Sequence, residues 1–113
     1  MNYQTNKIGE TLIFKLNEKR LDTNISGLLK GEFTLAFKEG NFNNLIIDLS
    51  EVESCDSSGL SAILVANRLI SSNNGQIRIA SPKEKVMNLI KVTQLDRVLT
   101  VSDSVEKAIA EMV

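Results

Sequence analysis

The chain has 113 residues, 42% hydrophobic and 24% charged, which suits one folded domain with a real core and excludes a disordered chain. Thirteen basic residues against 14 acidic ones leave a net charge of −1, so the basic surface that nucleic-acid phosphates require is absent. With no histidine and a single cysteine, Cys55, the composition excludes Ser-His-Asp and Cys-His machinery, the commonest zinc ligand and an internal disulfide.

Met1 to Lys7 carries no apolar core for a signal peptide. No run elsewhere approaches the roughly 20 apolar residues of a membrane span, so a cytoplasmic protein without membrane contact is expected. Tyr3 to Lys7 is a candidate edge strand, and Thr11–Leu16, apolar and partly alternating, predicts a second. Asp22-Thr23-Asn24 offers N-caps for a helix through about Glu39, with Ile25, Leu28, Leu29, Phe33, Ala36 and Phe37 at helical spacing. Gly27 and Gly31 weaken its first half, and Gly40-Asn41 closes it. Asn44–Leu49 is the central strand, apolar enough to be buried on both faces. After a turn over Glu51–Asp56, Leu60, Ile63, Leu64 and Leu69 predict a helix over Ser58–Ser71, stopped by Ser72-Asn73-Asn74-Gly75.

Gln76–Ala80 predicts a short strand. Ser81-Pro82-Lys83-Glu84 predicts a helix start, with Ser81 as N-cap, Pro82 at the first helical position and Glu84 completing a capping box. Val86, Leu89 and Ile90 form that helix's apolar face. Leu95–Val101 should hold another strand, and the last helix should start at Asp103, with Glu106 three residues on and Val105, Ala108, Ile109 and Met112 facing inward. The order predicts one α/β domain over 1–113, a mixed central sheet of about four to five strands covered by about four helices, with right-handed crossovers.

The chemistry concentrates at Asp56-Ser57-Ser58-Gly59. Ser57 is expected at the N-cap of the second helix, on the sheet edge where open α/β folds meet ligands and partners. The helix's unpaired N–H groups and dipole favour a negative group there, so the fold would tolerate a phosphate, which adds about −1.5 to −2 charge. Asp56 would orient the hydroxyl or touch a partner. The plainer alternative is that Asp and Ser simply cap the helix and Gly59 permits close packing. A serine nucleophile lacks its base: there is no histidine, and Leu60 occupies the place of the lysine in a Ser-x-x-Lys pair. A phosphate-binding loop would need glycines and a lysine that this stretch lacks. Lys83, Lys85 and Lys91, interrupted by Glu84, read as a solvated face, and Cys55 as a small buried hydrophobe without an activator. Leu60, Ile63 and Leu64 should point mostly inward and Ser61 outward.

The run from Leu45 to Leu60, a hydrophobic strand ending in Asp48-Leu49, a short turn, then Asp56-Ser57-Ser58-Gly59-Leu60 opening a helix, resembles the STAS domain of bacterial anti-sigma factor antagonists. Arg20-Leu21-Asp22-Thr23 resembles the family's Gly-x-Leu-Asp element, with Lys19 where the glycine is expected, and the likeness continues through Asn74–Ile79 and Ser81-Pro82. The resemblance implies a monomeric, non-enzymatic switch without cofactor or metal. Unphosphorylated, it would bind a cognate anti-sigma factor and free a sigma factor. The anti-sigma factor, itself a serine kinase, would phosphorylate Ser57 to end binding, and a metal-dependent serine phosphatase would reverse this. It places the partner surface at Asp22, Thr23, Asp56, Ser58, Gly59, Leu60 and Ser61. The alternative within the same family is an accessory subunit of a lipid-transport or stress-sensing assembly that binds its partner constitutively.

Overall fold

The computed structural model describes residues 1–112. In chain order the strands are β1 (Tyr3–Ile8), β2 (Thr11–Leu16), β3 (Arg20–Leu21), β4 (Asn44–Asp48), β5 (Ser54–Cys55), β6 (Ile77–Ala80) and β7 (Thr100–Ser102). The helices are α1 (Thr23–Glu39), α2 (Ser57–Ser72), α3 (Glu84–Val92) and α4 (Val105–Glu111), with a 3₁₀ turn at Leu95–Arg97. Five strands make the main sheet in the order β1-β2-β4-β6-β7; β1 pairs antiparallel with β2 and the other neighbours run parallel. This is the mixed, helix-covered sheet that the alternation of elements predicts.

The central strand explains the layering. Leu45 and Ile47 join Phe14, Leu29, Phe33, Leu60, Ile63, Ile70 and Ile79 in the larger core, under α1 and α2. Ile46 points the other way, to a small cluster with Ala80, Ala108 and Met112 beneath α4. Alternate β4 residues thus fill two cores, as a strand apolar on both faces must.

Local chemistry departs from the sequence expectation in four places. Ser81 does not cap α3: it adopts a left-handed φ of 57°, its N–H donates to the Ser102 carbonyl at 3.0 Å, and the helix starts at Glu84 after Lys83, with no side-chain cap. The cap of α4 is Ser104, not Asp103; Ser104 Oγ accepts from Lys107 N at 3.1 Å, while Asp103 pairs with the Lys107 ammonium. Gln94 at φ 62° turns the chain into the 3₁₀ segment, so the strand expected within Leu95–Val101 is confined to Thr100–Ser102. Leu28, counted in the apolar face of α1, is 58% exposed.

Candidate functional site

The helices α1 and α2 begin side by side because of a two-stranded sheet. β3 and β5 run parallel, pairing Arg20 with Ser54 and Leu21 with Cys55, and Asp56 N donates to the Leu21 carbonyl at 3.2 Å. Each short strand feeds directly into an aspartate that caps a helix. Asp22 Oδ1 accepts from Asn24 N at 3.0 Å at the start of α1. Asp56 Oδ1 accepts from Gly59 N at 3.0 Å and from the Ser58 hydroxyl at 2.6 Å at the start of α2. Ser58 Oγ also lies 3.1 Å from Thr23 Oγ1, so one hydroxyl pair ties the two helix starts together.

Gly59 makes the approach possible. A Cβ there would lie 2.3 Å from the Leu21 carbonyl oxygen and 2.7 Å from Leu21 Cγ, closer than atoms can sit. The loop before Asp22 is held as well: the Lys19 carbonyl accepts from Glu53 N at 2.8 Å and Ser54 N at 3.1 Å. Lys19 has no positive φ, so lysine in place of the family glycine imposes no backbone strain.

Ser57 is not the N-cap; Asp56 is. With Asp56 extended (φ −115°, ψ −177°), its carboxylate reaches the N–H of Gly59, and Ser57 becomes the first helical residue. The hydrogen bonds of the cluster run through Asp56, Ser58 and Thr23, and leave the exposed Ser57 hydroxyl outside. Asp56 and Thr23 are also exposed, while Asp22, Ser58 and Ser61 are half-buried. Gly59 and Leu60, expected on the contact surface, are buried; Leu60 is 2% exposed and belongs to the core. They position the start of α2 and offer no exposed surface. The signal for the paired helix starts stands in the sequence as a repeated pattern, Leu21-Asp22-Thr23 and Cys55-Asp56-Ser57, but two-residue strands are too short for periodicity to reveal.

The hydroxyl of Ser58 and the Gly59 N–H hold the Asp56 carboxyl below the usual carboxylate range. A depressed pKa contributes stability that is complete above the unfolded value and is lost as pH falls through the folded one. Wild type and Asp56→Asn should therefore differ in urea midpoint at neutral pH and converge as pH falls below about 4; a difference independent of pH would refute the ionised cap. Burial, with the Asp56 charge second, pushes the Cys55 thiol up to about 12. Its alkylation by iodoacetamide at pH 8 is expected to be at least about a hundredfold slower than for an exposed cysteine and to recover in urea. Equal rates in folded and unfolded protein would contradict this.

Among the described residues no group of His, Cys, Asp or Glu side chains is placed to hold a metal ion, and no helix is long and apolar enough to cross a membrane. The STAS domain model matches residues 2–108, nearly the whole chain, with Ser57 at the opening of α2. The chain belongs to the STAS domain family. A Thermotoga maritima protein provisionally named an anti-sigma factor antagonist is 31% identical over 106 residues, 94% of each chain. A T. maritima crystal structure of the same description has a TM-score of 0.87 at 28% identity, covering 97% of this chain and 93% of that one. SpoIIAA, an anti-sigma factor antagonist, is similar in fold in its unphosphorylated form, at TM-score 0.81 and 20% identity over 97% of this chain and 95% of its own. The relatives of this STAS domain thus include proteins named for antagonism of anti-sigma factors.

Proposed function

We propose that this STAS domain is an anti-sigma factor antagonist that binds its anti-sigma factor when Ser57 is unmodified and releases it when Ser57 is phosphorylated. The observation that carries this reading is the Ser57 hydroxyl, exposed and outside the hydrogen bonds that build the site, at the first residue of a capped helix. SpoIIAA, similar in fold, has been solved in both unphosphorylated and phosphorylated forms, which supports the same chemistry here.

In the reaction the Ser57 oxygen attacks the terminal phosphorus of a nucleoside triphosphate held by the anti-sigma factor acting as kinase. The bond to the bridging oxygen breaks, the diphosphate leaves, and the hydroxyl proton passes to a base on the kinase. The product is a near-dianion at the N-terminus of α2, where the helix dipole contributes about 0.3–1 kcal/mol in its favour. The fold therefore survives modification. The partner surface does not, because the same dianion joins the carboxylates of Asp22 and Asp56 on one face. A metal-dependent phosphatase resets the switch.

Paired baits test this in native lysate. Wild type should retain a kinase-like anti-sigma factor that Ser57→Asp retains weakly or not at all. Retention of the same proteins by both baits would sink the switch and favour an accessory subunit with constitutive binding.

A further inference from the structure

The outer edge of the sheet is unusually open. β1 is an edge strand whose six residues are all exposed. The Asn17 N–H donates to the Asn2 carbonyl at 2.9 Å, one step beyond the Tyr3–Leu16 pair. In an antiparallel ladder hydrogen-bonded pairs alternate, so the even residues of β1 bond to β2, and Tyr3, Thr5 and Lys7 turn their N–H and C=O groups to the free edge. The side chains of these three share the face that looks towards α1, and with Glu32, Leu35 and Glu39 they line one groove. The Tyr3 ring stacks on Phe14 at 4.7 Å, and its hydroxyl donates to Glu32 Oε2 at 2.7 Å. The 54% exposed Leu35 overhangs the same strand, and the 58% exposed Leu28 continues that helix face two turns earlier.

We propose that the free edge of β1 joins that of a second copy of this chain, antiparallel about Thr5, to continue the five-stranded sheet into its two-fold mate. A two-fold interface must be self-complementary, and this edge is. The register uses all three outward N–H and C=O pairs on each copy. It sets Thr5 against Thr5, a favourable cross-strand pair, and Lys7 against Tyr3 of the other copy. The ammonium then meets an aromatic ring and the Glu32 carboxylate bonded to that ring's hydroxyl. Edge lysines ordinarily keep strands apart. Here the two Lys7 side chains lie on opposite sides of the two-fold, each facing a carboxylate rather than its own mate. The second copy's Leu35 closes the groove from the far side, which accounts for an exposed leucine from each copy at one seam. The inference is independent of the Ser57 switch, and departs from the monomer that the family resemblance implies.

Sedimentation equilibrium over a wide concentration series tests it. Wild type should show a monomer–dimer equilibrium. Thr5→Pro removes an N–H that faces away from β2, and Lys7→Glu sets a carboxylate against Glu32; each should raise the dimer dissociation constant at least about tenfold. Lys7→Glu combined with Glu32→Lys should restore association. Should Thr5→Pro fail to fold by circular dichroism, the exposed Lys7→Glu and its charge-swapped partner decide alone. A wild-type monomer at every concentration, or a dimer indifferent to these substitutions, overturns the proposal.

Discussion

Replacing Gly59 with alanine is expected to destabilise the fold by about 3 kcal/mol, the upper end of the cost of overpacking. The added methyl would meet the Leu21 carbonyl oxygen at 2.3 Å, and a backbone atom cannot rotate out of the way as a side chain can. Either α2 slides along β3 or the pairing of β3 with β5 opens. Both responses separate the two helix starts and stretch the 3.1 Å contact between Thr23 and Ser58. A loss of that size is a large share of the ~5–15 kcal/mol that holds a domain together, so the urea midpoint should fall clearly. Gly27→Ala supplies the control. Nothing lies within 4 Å of a Cβ at that exposed helical position, and alanine there should stabilise α1 by up to about 1 kcal/mol. Equal midpoints for the two variants would show that Gly59 is not what lets the helices converge.

The contrast between these glycines marks how far the sequence was legible. Long elements with strong periodicity were readable: α1 with its Asp22 cap and its Gly40 stop, β4 with its two buried faces, and the mixed, helix-covered sheet. The family resemblance directs the expected site to Asp56-Ser57, at the opening of α2. What could not be read was the device that builds it. Two residues of β3 pair with two of β5, a match set by tertiary packing and not by any local preference. The shift of the cap from Ser57 to Asp56 has the same origin. Serine and aspartate are comparable as N-caps, and the choice fell to Asp56 because its N–H is tied to Leu21. The capping box at Ser81–Glu84 failed for a related reason. The Ser81 N–H is held by the Ser102 carbonyl, so a sheet bond outweighed a good local helix signal.

The second large effect lies at Ser57. Against the anti-sigma factor recovered from lysate, Ser57→Asp should weaken binding at least about tenfold and enzymatic phosphorylation more, while Ser57→Ala should bind like wild type and resist modification. A charge left without a partner in a buried interface costs about 2–5 kcal/mol, or roughly thirty- to several thousand-fold in affinity. Aspartate brings about one negative charge against phosphate's near two, so its effect belongs at the lower end. The fold should not share in the loss. Ser57 is exposed at the first turn of α2, where an anion is favoured, so the melting temperatures of all three forms should agree closely. That separation of binding from stability is the decisive feature. Titration calorimetry with the purified partner, beside thermal melts of each variant, measures both. Weakened binding with an unchanged melt identifies Ser57 as a surface switch. Wild-type affinity in Ser57→Asp would remove the switch and leave the capped helix pair as a constitutive docking surface.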